Sequence, residues 1–182
     1  MDGLQDKFIS YWDHVAARFA KNPYVVGYDP LNEPFPANPA RDPMLFWPGH
    51  MDKKYLSPMY AKLFERYQAH DPEQSMWFEP GPFPDSFGFF GGFIFPVGFE
   101  SPPGGEKGSD KHVLNVHTYC CAMDMAECEA TGEPQPAHAQ DCQNWHTMEL
   151  NQRADDAERL GLPLFISEFG ACLTDEVCTE EI

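Results

Sequence analysis

The feature that most constrains the fold is a regular alternation of strand-like and helix-like segments along the 182 residues. Short apolar or β-branched runs predict strands, and apolar residues near helical spacing predict an opening helix and two later ones. The predicted strands span residues 24–28, 75–78, 112–116 and 163–167, and the two later helices span 55–70 and 142–160. This order favours an α/β fold, in which helices cover a parallel sheet.

Polar side chains follow each predicted strand. In chain order they are Asn32 and Glu33, then Glu79, then His117 and Tyr119, and finally Glu168. In a (β/α)₈ barrel the carboxyl ends of all strands open onto one face, where catalytic groups lie. An open doubly wound sheet would usually carry a glycine-rich phosphate loop after a strand, and the sequence has none. We therefore predict a (β/α)₈ arrangement with these side chains on one rim.

Two of these side chains, Glu33 and Glu168, can cleave a glycosidic bond if they face each other. One carboxyl protonates the departing oxygen, and the other attacks the anomeric carbon or activates water. Asn32 could then bind a sugar hydroxyl. His117 and Tyr119 have the i, i+2 spacing that places both on one face, where the tyrosine could orient the nucleophile and the histidine the acid.

Each residue also has a plainer interpretation. Glu33 could be a loop or helix-cap acid, and His117 or Tyr119 could be an ordinary core or rim residue. For Glu79 a structural or peripheral position is favoured over a place as a third site carboxylate. The joint pattern favours a site, because unrelated structural acids need not all follow strands.

The segments DPLNEPF, NVHTY and LFISEFG, in this order and spacing, resemble glycoside hydrolase family 5, a family of retaining (β/α)₈ glycosidases. The resemblance implies that Glu33 is the general acid/base and Glu168 the nucleophile, with Asn32, His117 and Tyr119 completing the site. It implies no metal or organic cofactor. It also implies that residues 1–182 are a fragment of one catalytic barrel, from the third helix to the seventh strand, without the first three strands and the eighth.

Within the family, NPYVVGYDPLNEPF, WFEP and SEFGAC are most similar to the endoglycoceramidase branch, which cleaves the bond between a glycan and ceramide. The alternatives are a β-glucanase or β-glucosidase of the same family, or a non-catalytic product, either an inactive truncated fragment or a carbohydrate-binding remnant. The Phe-rich segment with Phe89, Phe90 and Phe93 could be an apolar wall for the lipid, or a small core packed over the rim.

The charge of the chain bears on its partners. Lys and Arg total 12 against 29 Asp and Glu, a formal net charge of −17. This balance argues against nucleic acid and non-specific membrane binding. The sequence contains no apolar run of transmembrane length, and its first residues do not read as a signal peptide. We expect a monomer that acts on a carbohydrate or glycolipid.

Six cysteines without a Cys-x-x-Cys pair favour disulfides over a zinc site. Cys172 and Cys178 are predicted to bridge, and the group formed by Cys120, Cys121, Cys128 and Cys142 is predicted to hold at least one further disulfide. Such a pattern without a signal peptide suggests a longer parent protein, secreted or in a lysosomal or vacuolar lumen.

Overall fold

The computed structural model describes residues 3–36, 38–83, 93–119 and 139–169. In these residues the helices and strands, in chain order, are α1 (Leu4–Phe19), β1 (Gly27–Tyr28), α2 (Ser57–His70), β2 (Ser75–Phe78), β3 (His112–Thr118), α3 (Ala139–Leu160) and β4 (Leu164–Phe169). The strands form one sheet in the order β1-β2-β3-β4, and every neighbouring pair is parallel. The predicted α/β class is confirmed.

Several boundaries differ from the prediction. β1 has only two residues, whereas β3 and β4 extend to Thr118 and Phe169, so that His117 and Glu168 lie within strands. The segment before α2 holds a 3₁₀-helix (Pro43–Phe46) and a π-helix (Asp52–Leu56), and the sequence patterns predicted neither turn. Backbone hydrogen bonding and the burial of Leu45 and Leu56 stabilise these turns, which apolar periodicity over so few residues does not reveal.

The core lies between the sheet and the helices. From the strands it receives Met76, Phe78, Leu114 and Val116, and from α2 it receives Tyr60, Leu63 and Tyr67, all at most 4% exposed. The alternate residues of the strands face away from the helices, as the two-residue period of a strand requires. Among these residues, Trp77 and Phe165 pack with ring centroids 4.6 Å apart. One face of the sheet thus packs into the apolar core, and the opposite face leads to the polar rim at the carboxyl ends of the strands.

An irregularity in β4 changes the alignment of the rim. Val116 pairs with Ile166, but the next residue of β3, His117, pairs with Glu168. Ser167 is therefore an extra residue on β4. Such bulges re-aim the side chains beyond them, and here the bulge sets Glu168 level with His117.

Buried charges attach the segment 95–99 to α3. Arg153 donates to Asp156 (2.7 Å) and to the Phe95 carbonyl (2.9 Å), and Asp156 accepts from the Val97 amide (3.1 Å). Arg153 and Asp156 are each 1% exposed. Because buried charges are costly unless they are paired and hydrogen-bonded, this network specifies one position for the segment.

A second buried acid, Asp52 of the π-helix, joins two loops. Its carboxylate accepts from the amides of Gly81 (2.7 Å) and Gly98 (2.8 Å). Burial raises the pKa of Asp52 to about 6, although both amide hydrogen bonds oppose the shift. Gly81 lies two residues after Glu79, so Asp52 also restrains one wall of the rim.

No helix in the described part of the chain is both long and apolar enough to cross a bilayer.

The raised pKa of Asp52 predicts a pH-dependent contribution to stability. The folded state binds the proton more tightly than the unfolded state, so the contribution is present below about pH 4 and is lost as pH rises through about 6. We expect the difference in unfolding free energy between the wild type and Asp52→Asn to shrink by up to about 3 kcal/mol from pH 4 to pH 7. Urea titrations at both pH values measure it, and a constant difference would contradict it.

The close approach of Gly98 to Gly49 predicts a second effect on stability. A Cβ on Gly98 would lie 1.9 Å from the Gly49 carbonyl oxygen, which is backbone and cannot rotate away. We expect Gly98→Ala to cost about 2–4 kcal/mol by thermal or urea unfolding. Gly108→Ala is the control, because its Cβ would meet nothing within 4 Å and it should cost only the ~1–2 kcal/mol of a left-handed alanine. Equal losses would contradict the steric explanation.

Candidate active site

The carboxyl ends of the strands meet at a cavity of about 330 Å³. Its lining, in chain order, is Glu33, Glu79, Pro80, Pro82, Asn115, Val116, His117, Tyr119, Trp145, Glu149, Arg153 and Glu168. Four of the predicted site residues therefore line one cavity. Their catalytic roles stay predictions.

The two predicted catalytic carboxylates lie close together. One oxygen of Glu33, one of Glu168 and a ring nitrogen of His117 all lie within 4.8 Å of one another. This separation is nearer to the ~5–5.5 Å of retaining glycosidases than to the ~6.5–9.5 Å of inverting ones. About half of each side chain is covered, since the Glu33 side chain is 46% exposed and that of Glu168 is 41% exposed.

His117 lies at the centre of the carboxylates. Its Nδ1 is 2.9 Å from Glu33 Oε1 and 3.6 Å from Glu168 Oε2, and its Nε2 is 3.0 Å from Ser167 Oγ. The side chain is only 8% exposed. A nearly buried ring with a partner on each nitrogen has one orientation, so His117 restrains the Glu33 carboxylate.

Tyr119 restrains the carboxylate of Glu168, as His117 restrains that of Glu33. Its hydroxyl donates to Glu168 Oε2 over 2.9 Å. Burial, together with the hydrogen bond to Glu168 and the nearby Glu33 charge, raises the pKa of Tyr119 to about 12. Tyr119 therefore keeps its proton, and it leaves the other oxygen of Glu168 open for reaction.

Two further predicted residues are exposed and do not line this cavity. Asn32 is exposed and is not among the described residues that line the cavity. Phe93 is 67% exposed, while Phe89 and Phe90 lie outside the described residues. So do all cysteines except Cys142, and the predicted Cys172–Cys178 bridge stays a prediction.

Glu79 lines the cavity, so the interpretation as a peripheral residue is wrong. It is 4% exposed, its Oε2 accepts from the Glu33 amide (2.8 Å), and its Oε1 lies 3.5 Å from His117 Nε2. Its position directly after β2 is the same signal that identified the other acids, and that pattern had already placed Glu79 on the same rim.

The wall contributed by α3 was not predicted. Trp145, Glu149 and Arg153 recur every four residues and so share one face of the helix. That spacing was available in the sequence, although nothing in it showed that this face turns toward the rim rather than to solvent.

Glu33, His117 and Glu168 could together contact a cation, because their ligand atoms are close enough. Each of the three already has a hydrogen-bonding partner within the site. These hydrogen bonds orient the two carboxylates without a cation, and such a pair suits proton transfer and nucleophilic attack.

Comparisons with known proteins identify relatives of this chain. The endoglycoceramidase of Hydra vulgaris is 35% identical over 119 residues, which are 65% of this chain and 21% of that protein. The endoglycoceramidase of Cyanea nozakii is 32% identical over 118 residues, 65% of this chain and 22% of that protein. The chain thus spans about a fifth of the length of these relatives.

Among solved structures, the lactosyl-enzyme intermediate of endo-glycoceramidase II from Rhodococcus sp. superposes with a TM-score of 0.64 at 20% identity. The match covers 91% of this chain and 32% of that one, and it supports the prediction of part of a (β/α)₈ barrel. Residues 2–182 match the family described as Cellulase (glycosyl hydrolase family 5). The chain belongs to glycosyl hydrolase family 5.

Proposed function

We propose that the protein is a retaining β-glycosidase that cleaves the bond between the glycan and the ceramide of glycosphingolipids. The observation that carries the proposal is the pair Glu33 and Glu168, with oxygens within 4.8 Å, each held by its own partner. The similarity to the Hydra and Cyanea endoglycoceramidases supports the choice of substrate. Because the chain spans only part of those proteins, the proposal concerns the full-length protein.

In the first step the free oxygen of Glu168 attacks the anomeric carbon. The bond from that carbon to the ceramide oxygen breaks, and Glu33 donates its proton to that oxygen. In the second step Glu33 takes a proton from water, whose oxygen displaces Glu168 from the sugar. Glu33 ends protonated and Glu168 ends ionised, as they began, and no metal or organic cofactor takes part.

The hydrogen bonds divide the two roles. Tyr119 donates only to Glu168 (2.9 Å), and this bond fixes the orientation of the carboxylate that is to attack. Glu33 faces His117, which can accept or donate a proton at Nδ1 (2.9 Å). A partner of this kind accommodates both protonation states, as a residue that alternates between acid and base requires.

The apolar surroundings support a lipid leaving group. Phe35, two residues after Glu33, is 64% exposed, and its ring lies 5.6 Å from that of Phe83, next to the cavity residue Pro82. Phe93 and Trp47 are 67% and 64% exposed. Phe35 and Phe83 thus form an aromatic pair next to the cavity, and hydrocarbon chains would fit against such an apolar surface.

We also propose that the protein works in an oxidising compartment, either secreted or in a lysosomal or vacuolar lumen. Support comes from Cys142, which is fully buried and has no free thiol.

The two carboxylates predict different defects in the full-length enzyme. Glu168→Gln should abolish the glycosyl-enzyme, because the amide is not a nucleophile, and its activity should fall by about 10³-fold or more on every substrate. Glu33→Gln should lose about 10²–10⁴-fold on glycolipid but little in the glycosylation step of a dinitrophenyl glycoside, which needs no proton. Burst kinetics and intact-mass detection of the intermediate measure these effects. Equal losses by Glu33→Gln on both substrates would contradict its role as the acid.

The exposed aromatic residues predict a substrate-dependent effect. Removing the ring of Phe35 or Phe93 withdraws about 60 Å² of contact, and at ~25 cal/mol per Å² this weakens lipid binding roughly tenfold. We expect Phe35→Ser and Phe93→Ser to slow hydrolysis of glycosylceramide by that factor and of a soluble aryl glycoside much less. Phe89→Ser and Phe90→Ser test the rest of the predicted wall.

Tyr24→Ser is the control for this comparison. Tyr24 is 92% exposed, but it precedes β1 and so lies at the amino ends of the strands, away from the cavity. Neither substrate should therefore be affected. Parallel losses on both substrates by folded Phe variants would indicate packing instead, and would favour a β-glucanase or β-glucosidase.

A further inference from the structure

Glu79 is a third carboxylate in the site, and the two-carboxylate reaction gives it no part. Its Oε2 accepts the backbone N–H of Glu33 over 2.8 Å, and its Oε1 lies 3.5 Å from His117 Nε2. It thus contacts both the main chain of the acid/base and the ring that holds the acid's side chain. The residue is 4% exposed, so water does not compete for these contacts.

Glu33 needs such a contact because its backbone is strained. Its φ is 41°, and Lys21 is the one other non-glycine residue with a positive φ in the described ranges. A left-handed conformation is unfavourable for an L-residue, and it persists only where neighbouring groups enforce it. A carboxylate that accepts the N–H of the strained residue is such a group, since a hydrogen bond to a charged acceptor is a strong one.

Glu79 is itself anchored on both sides. It directly follows β2, and its carbonyl accepts the hydroxyl of Tyr60 over 3.1 Å, with Tyr60 fully buried in α2. Two residues further on, the Gly81 amide donates to Asp52. The carboxylate therefore extends from a rigid part of the chain toward the less regular segment that carries Glu33.

The charges around Glu79 make its protonation sensitive to pH. Burial raises the pKa of Glu79 to about 7; the nearby charges of Asp29 and Glu33 add to the rise, while the Glu33 amide and His117 oppose it. At neutral pH the carboxyl thus exchanges between its ionised form, which is a strong hydrogen-bond acceptor, and its protonated form, which is a weaker one.

From these contacts we propose that Glu79 is a positioning residue, which holds Glu33 in its left-handed conformation and, through His117, aims the Glu33 carboxyl at the leaving oxygen. This inference rests on the proposed function for what Glu33 does, but the contact between the two residues can be tested without any activity.

The first experiment observes the hydrogen bond directly. In ¹⁵N–¹H spectra of the full-length protein, the Glu33 amide proton should shift as pH rises, with a midpoint near 7. Glu79→Gln should remove this titration, and Glu73→Gln should not, because Glu73 lies at the other edge of the sheet with its side chain 85% exposed. Persistence of the titration in Glu79→Gln, or its absence in the wild type, would overturn the proposal.

The second experiment separates positioning from general stability in the full-length enzyme. Glu79→Ala should lose about 10–100-fold on glycolipid and less than threefold in the glycosylation burst of a dinitrophenyl glycoside. Glu79→Gln keeps an acceptor oxygen and should fall between the wild type and Glu79→Ala. Adding Glu79→Ala to Glu33→Gln should cause no further loss, because both remove the same acid function.

Equal losses on both substrates, or additive losses in the double variant, would overturn positioning. If the wild type formed no glycosyl-enzyme, the proposed function would fail, and the amide titration would still decide whether Glu79 holds Glu33.

Discussion

The bulge at Ser167 is the constraint on which the site depends. Parallel pairing brings the strand ends to one edge, but in regular register His117 would pair with Ser167, and Glu168 would face the helices as Ile166 does. The extra residue changes the parity of β4, so that His117 pairs with Glu168 and Glu168 joins Glu33 at the cavity. The hydroxyl of Ser167 then contacts the far nitrogen of His117 (3.0 Å). One local irregularity thus positions the proposed nucleophile and helps to orient the ring beside Glu33.

Around this site, buried charged side chains hold irregular backbone segments in place through hydrogen bonds. Asp52 joins the loops that contain Gly81 and Gly98, and Arg153 and Asp156 attach the segment 95–99 to α3. Loops cannot share the hydrogen bonds of a sheet, so their amides and carbonyls need other partners. The rim therefore depends on buried acids and on Arg153, which itself lines the cavity, and loss of the Asp52 contact to Gly81 would reach the cavity through Pro80 and Pro82.

Most of the fold could be predicted from the sequence, because it depends on periodicity and on the places where strands end. The four strands, the helices and the cavity positions of Glu33, His117 and Tyr119 depend on local pattern together with parallel pairing, whereas the cavity position of Glu168 also requires the bulge. The bulge could not be predicted, because Ser167 continues the alternation of β4 without any signal of an added residue. The 3₁₀ and π turns before α2 were missed for a related reason: their stability comes from tertiary contacts, such as the two amides that donate to Asp52.

Glu79 shows a different limit. It lies directly after a strand as the other acids do, but a single acid before a proline has many structural uses, and only the distances to Glu33 and His117 distinguish them. The α3 wall is similar, since the spacing of Trp145, Glu149 and Arg153 defines a face but not what that face meets.

The left-handed backbone of Glu33 has a consequence for how this chain can change over evolution. Glycine tolerates a φ of 41° at no steric cost, and it would keep the N–H that Glu79 accepts. The residue that best suits the backbone at this position is therefore one that cannot serve as an acid. Stability and activity favour different amino acids here, so a lineage released from selection for hydrolysis would lose Glu33 readily and could become more robust as it did so.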